Sequence, residues 1–123
     1  MVRRRVRVVW LDDSFDVLSG FSDEVKFQLG KDLKRTPTGE RPWDFRSMAP
    51  VLPGVIELGD ADRDLWYRVF CLDSRDSVFV LPCFRKTTNQ TSTPDVELGK
   101  ARLKPAHEII AEQKSGAKHG KIR

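Results

Sequence analysis

The sequence predicts a single α+β domain, an antiparallel sheet with a helical hairpin on one face and a C-terminal helix, in the order β-α-α-β-β-β-α. Three observations predict it. Residues 2–10 alternate side chains with the period of a strand. Val25, Leu29 and Leu33 recur every four residues, the spacing of one apolar helix stripe. Three apolar runs then follow between residues 55 and 84, separated by acidic turns.

In the first strand Val6, Val8 and Trp10 share one face and Arg5, Arg7 and Val9 the other, which reads as a strand with one buried face. Asp12, Asp13 and Ser14 supply helix-start chemistry for a short stretch, Phe15, Val17 and Leu18, that Gly20 ends. Ser22 begins a second helix as its N-cap. Asp23 and Glu24 sit at the positive end of that helix dipole and Lys31, Lys34 and Arg35 at the negative end. Residues 36–54 read as a loop, because Pro37, Pro42, Pro50 and Pro53 with Gly39 and Gly54 disfavour helix and central strand. Trp43, Phe45 and Met48 are expected to tack that loop onto the core. Residues 55–58, 65–72 and 77–84 form an antiparallel meander turning at 60–64 and 73–76. Pro82 has no ladder donor, which puts a sheet edge or a bulge there. Thr93, Pro94 and Asp95 begin the last helix, which runs through Leu98, Ala101 and Leu103 and which Pro105 should kink or end, although residues 107–111 could resume it. The domain is expected to span 1–112. Residues 113–123, with Gly116, Gly120 and four basic residues, read as a basic flexible tail.

At 123 residues the chain has room for one core. A hydrophobic fraction of 39% and a mean hydropathy of −0.46 fit a soluble globular protein. No apolar run reaches the roughly 18 residues of a membrane span, and the arginine-led start is not a secretory signal, so no membrane partner and a cytoplasmic chain are expected. The net charge of +4 conceals segregation: residues 1–10 carry +4, residues 99–123 carry +5 and the middle carries −5. Basic ends on an acidic middle suit a polyanion, an acidic protein, or simply solvated termini. Two cysteines and two histidines without a Cys-x-x-Cys or His-x-x-x-His pair supply no structural zinc motif, and no metal or other cofactor is expected. A hairpin turning at 73–76 would set Cys71 and Cys83 ~16 Å apart, too far for a disulfide. Phosphate-cradling glycine loops and the nucleophile-elbow motif are absent from the sequence.

The residues that could carry chemistry are cations. Arg68 lies mid-strand between Trp66 and Phe70 on a face that alternation makes apolar. Either it pairs with a carboxylate such as Glu57 on the neighbouring strand, or that face opens into an anion site. Arg85, Lys86, Thr87 and Thr88 follow the last strand and read as a phosphate-binding edge or an ordinary polar connection. Lys100 and Lys104 share one face of the last helix, with Arg102 on its flank. A metal-free nuclease built from such residues would let the RNA's own 2′-OH attack the adjacent phosphate. It needs cations around the phosphorane and groups to move two protons. Like-charge repulsion helps a lysine beside arginines to give up its proton, and Lys86 beside Arg85 fits that part.

Phe21 through Leu33, Gly54 through Leu58, Tyr67-Arg68-Val69-Phe70, Val80 through Thr88 and Thr93 through Leu103, in that order, resemble the phage-derived HigB-like branch of the RelE/ParE toxin superfamily. The resemblance spans about residues 6–105. It implies a RelE-like fold and a toxin of a type II toxin–antitoxin system. Many such toxins are metal-independent, ribosome-dependent mRNA endonucleases that inhibit translation and arrest growth. The implied partners are a cognate helix-turn-helix antitoxin, the ribosome and mRNA, with no small-molecule cofactor. Arg68 matches the central-strand arginine that contacts the scissile phosphate, Lys86 a lysine of the family's Lys-Lys-Thr stretch, and Arg102 the basic position of the last helix. Arg68 and Lys86 are thus the implied catalytic residues, with Arg46, Arg85, Thr88, Lys100 and Arg102 as RNA contacts. Gly59 stands where the family's Glu-Leu-Arg arginine would be, and Thr87 replaces a second lysine. Gyrase-inhibiting, ParE-like toxins and inactive relatives share the fold, so the alternative is a protein that acts by binding.

Overall fold

The computed structural model describes residues 5–75 and 77–120, the side chains of residues 115–120 excepted. Its elements are β1 (Arg7–Trp10), α1 (Ser14–Ser19), α2 (Asp23–Arg35), β2 (Phe45–Ser47), β3 (Val55–Asp62), β4 (Leu65–Ser74), β5 (Ser77–Lys86) and α3 (Thr93–Gly120), with a 3-10 turn at Thr36–Thr38. One five-stranded sheet has the order β1-β5-β4-β3-β2. The α+β class, the helical hairpin and the β3-β4-β5 meander are as the sequence predicts. The first strand begins at Arg7, and residues 2–4 of the expected strand lie outside the described residues.

Two layers flank the sheet. Leu18, Phe21, Val25, Leu29 and Leu33 pack the helical hairpin against Leu58, Val69, Val78 and Val80 on one face. On the other, α3 and the loop residues Met48 and Leu52 cover Val55, Phe70, Phe79 and Leu81. The strand β1 has both faces partly covered rather than one, since Val8 and Trp10 meet the hairpin layer and Val9 the α3 layer. Gly99 lets α3 come this close. A Cβ there would stand 2.9 Å from Phe70 and 3.0 Å from Leu52.

Several expectations are corrected. The sheet is not wholly antiparallel, because β1 runs parallel to β5. A parallel pair needs a crossover, and the helical hairpin with the following loop and meander supplies the length. The loop after α2 contains an edge strand: Phe45, Arg46 and Ser47 pair with Leu58, Glu57 and Ile56 in a proline-free stretch bracketed by Pro42 and Pro50. Of the three residues expected to tack that loop down, Met48 is buried but Trp43 and Phe45 are 73% and 42% exposed. Polar anchoring does their job: the buried Asp32 carboxylate accepts the Trp43 backbone N–H at 3.1 Å, along with Gln28 and Arg35. The strands outrun their apolar cores, with Asp62 paired to Leu65 and Ser74 to Ser77, so the turns are tight and begin at Arg63 and Arg75 in the left-handed region. Helix α3 passes through Pro105, whose ring is solvent-exposed, as is Ala101 one turn earlier, so water can take the freed carbonyl. It continues to Gly120, into the segment read as a tail, and residues 121–123 lie outside the described residues.

Pro82 marks a bulge, in the part of β5 beyond the end of the β1 ladder at Val80. Val69 pairs with Cys83 while Cys71 pairs with Val80, so Leu81 and Pro82 together oppose Phe70. The extra residue reverses the facing of β5 beyond it: Phe79, Leu81 and Phe84 all meet the α3 layer. Gly99→Val should push α3 off Phe70 and Leu52 and destabilise the fold by about 1–3 kcal/mol. The expected observation is a lower urea midpoint with an unchanged m-value.

Candidate functional site

On β4, Arg68 pairs with Gly59 of β3, and its side chain crosses that glycine on the α3 face of the sheet. Gly59 is the floor of the site. A Cβ there would collide with the Arg68 guanidinium and stand 2.7 Å from Asp44 Oδ2. The arginine is only 9% exposed, yet its hydrogen-bond partners are neutral oxygens. Nη1 donates to the Tyr67 carbonyl at 2.9 Å and Nη2 to Asn89 Oδ1. Trp66 lies against it, with the ring centre 5.9 Å from Cζ.

Glu57 is not its partner. That carboxylate is occupied by Arg46, whose Nη2 lies at 2.9 Å and Nε at 3.1 Å, and by the Thr91 hydroxyl at 2.8 Å. Among the described residues no carboxylate forms an ion pair with Arg68. The face that carries Arg68 is open beside it. A cleft of about 230 Å³ lies beside the guanidinium, lined by Asp44, Arg46, Glu57, Gly59, Arg68 and Asn89.

The bulge at Pro82 sends Lys86 to this same face. There Lys86 Nζ donates to the Asp95 carboxylate and to the Gln90 carbonyl, each partner of the ion pair being 14% exposed. Arg85 points the other way and lines a separate cleft with Val17, Gly20 and Phe21 on the hairpin side. The paired cations expected at the strand end are therefore split across the sheet, and the charged neighbour of Lys86 is an acid. Adjacent residues of a strand face opposite ways.

The described residues show a buried cation at the foot of a polar cleft, in a β-α-α-β-β-β-β-α chain. A family model for the phage-derived Gp49-like proteins (DUF891) matches residues 16–104, a span that holds Arg68, Lys86 and Arg102. The chain belongs to the phage-derived Gp49-like family. That family is of the RelE/HigB-like toxin kind, a kind that implies an antitoxin partner, and the observed sheet and helices are consistent with a RelE-like fold. No curated protein and no solved structure gives a significant match. Among the described residues no helix is long and apolar enough to cross a membrane.

In this Gp49-like chain the remaining sequence candidates are scattered. Arg102 is 7% exposed and sits inside the fold: Nη1 donates to the Leu81 carbonyl at 3.1 Å, Nη2 to Asp13 at 2.7 Å, and Nε lies 3.2 Å from Asp12. It ties α3 to the bulged strand and to the start of α1, which turns an expected RNA contact into an internal brace. Lys100 and Lys104 line an apolar groove between α3 and Val51, with Lys100 3.7 Å from Glu97. Thr88 is exposed in the connection after β5. The structure therefore brings Arg46 and Arg68 to one cleft, puts Lys86 on the same sheet face outside the cleft lining, and leaves Arg85, Lys100 and Arg102 elsewhere. Sequence reasoning passed over Asp44, Asn89 and Thr91. The signal was present in Thr87-Thr88-Asn89-Gln90-Thr91-Ser92, six uncharged hydrogen-bonding residues in a row beside a strand end.

Both cysteines are free and buried in the hairpin layer. They stand two ladder positions apart, closer than expected, because the late turn and the bulge shift the register. Burial pushes both thiols up, and Cys83 reaches about 12, with Arg102 lowering and Asp13 raising it by smaller amounts. Both should stay protonated and resist alkylation at pH 8 in the folded protein and react fast in urea, as mass spectrometry of the labelled chain would show. Arg102→Ala should cost about 2 kcal/mol of stability, read from the urea midpoint, since it strands a buried carbonyl while Asp12 and Asp13 stay largely hydrated.

Proposed function

We propose that this protein is a toxin of a type II toxin–antitoxin system that cleaves mRNA on the ribosome without a metal, held in check by a helix-turn-helix antitoxin. The observation that carries the reading is Arg68: a guanidinium almost removed from water, with neutral partners, at the foot of an open cleft. A buried cation with no paired acid raises the affinity of its surroundings for an anion. A phosphodiester would find Arg68 and Arg46 in the same cleft, and Lys86 on the same sheet face.

In the reaction, the 2′-OH attacks the neighbouring phosphorus, and negative charge grows on the non-bridging oxygens. Arg68 is the donor for that charge, with Arg46 beside it. Lys86 is the ammonium available to the leaving 5′-oxygen. Asp44, an exposed carboxylate whose Oδ2 shares the space over Gly59 with the guanidinium, is the acceptor in the cleft for the 2′-OH proton.

One observation favours a second reading. Asp44 and Glu57 balance Arg46 and Arg68 in the cleft, and Lys86 is engaged by Asp95, so the site is less cationic than a phosphate clamp need be. That composition suits a relative that acts by binding, of the gyrase-inhibiting or inactive sort. Expression of the chain alone in a bacterium separates the two. The expected result is growth arrest with cuts inside translated transcripts, relieved by Arg68→Ala, which should lower the cleavage rate about 100- to 1,000-fold. Arrest with DNA damage and intact mRNA supports the second reading. The absence of both arrest and cleavage would rule out an active toxin.

A further inference from the structure

Three consecutive residues between β5 and α3 each occupy one of the cations Arg46, Arg68 and Lys86. Asn89 Oδ1 accepts from Arg68 Nη2, the Gln90 carbonyl accepts from Lys86 Nζ, and Thr91 Oγ1 accepts from Arg46 Nη2 at 2.8 Å. The Thr91 hydroxyl in turn donates a hydrogen bond to Glu57 Oε2 at 2.8 Å. The segment has little else to hold it. Residues 87–90 are solvent-exposed, and the run from Thr87 to Ser92 contains no apolar side chain to pack. Its ends are fixed, by the β5 ladder on one side and on the other by Ser92 and Asp95, which cap each other at the start of α3 at 3.2 Å.

At Arg68 these contacts put neutral oxygens where a phosphate would put charged ones, while Arg46 and Lys86 also hold the Glu57 and Asp95 carboxylates. The bonds to the segment are cation to neutral oxygen, whereas a phosphate oxygen adds the attraction of a full opposite charge, so a phosphate backbone can displace the segment. The segment and the backbone cannot both hold the same N–H.

We propose that residues 87–92 form a strap that closes over Arg46, Arg68 and Lys86 in the free protein and that a nucleic-acid phosphate backbone must displace. The proposal rests on the reading of the cleft as a phosphodiester site and adds its regulation. A closed strap lowers the apparent affinity by the fraction of molecules that are open, which guards the cations until a ligand with several phosphates engages them together. Asn89, which caps the least exposed of the three cations, is the latch.

The test uses the full chain and an eight-nucleotide single-stranded oligonucleotide with 2′-deoxyribose sugars, which 2′-OH attack cannot cleave. Binding is read by fluorescence anisotropy at fixed low salt. Asn89→Ala should bind about five- to tenfold more tightly than the unaltered chain, with an unchanged melting temperature. In the unaltered chain, backbone amides of residues 87–91 should exchange hydrogen faster once the oligonucleotide is bound. Weaker or equal binding by Asn89→Ala, or slower exchange in the segment, overturns the strap if Arg68→Ala still weakens binding. Arg68→Ala with no effect on binding overturns the phosphodiester site, and the strap with it.

Discussion

Leu81 and Pro82 stand together opposite Phe70, and every side chain of β5 beyond them faces the opposite way from an unbroken alternation. The candidate site depends on that one extra residue. Counted in twos from Val78 and Val80, Lys86 would belong to the hairpin side and Arg85 to the α3 side. The bulge exchanges them. Pro82 cannot donate to the ladder, so an interruption costs the sheet least where proline already removes a bond. The bulge also meets the brace on α3, because the Leu81 carbonyl accepts from Arg102. One irregular residue pair therefore sets which cation reaches the cleft and where the last helix is pinned.

Arg68 and Arg102 are nearly equally buried, and the difference between them shows how burial alone fails to mark a site. Two aspartates at the start of α1 neutralise Arg102, so its charge is spent within the fold. Arg68 hydrogen-bonds only a backbone carbonyl and an amide oxygen; Glu57, the acid that the sequence offered it, has been taken by Arg46, and Asp44 shares the space over Gly59 without closing an ion pair. A desolvated cation that no carboxylate directly bonds is costly to the free protein, and an anionic ligand that bonds it recovers part of that cost, in competition with Asp44 across Gly59. Gly59 allows the arrangement. At position 59 the chain has no side chain at all, and the Arg68 guanidinium folds into the space.

Much of the fold was legible in the residues. The Val25, Leu29 and Leu33 stripe, the meander and the Thr93-Pro94-Asp95 helix start are local patterns, and local patterns survive folding. The misreadings were of another kind. Trp43 and Phe45 are apolar, yet Asp32 holds their loop by its backbone and leaves the rings in solvent. Pro105 breaks no helix because its missing bond faces water. The edge strand β2 exists because β3 needed a partner, which three residues between prolines could supply. In the site, Arg68 was legible as an apolar-face arginine, whereas Asp44, Asn89 and Thr91 were not, because ordinary polar residues gain a role only from what stands across from them.

By itself, the sequence determined the class of fold, the family pattern, the placement of Arg68 on a central strand and a chain whose candidate chemistry is cationic. Periodicity, capping and charge order act over a few residues, so they can be read without coordinates. Only the tertiary structure decided which cations are partnered and which are open. It paired Arg102 with Asp12 and Asp13 across most of the chain, gave Glu57 to Arg46, parted Arg85 from Lys86 and laid Asn89 over Arg68. The physical reason is that a charge takes its meaning from its nearest opposite charge and from the water it has lost, and both are set by contacts between residues far apart in the chain.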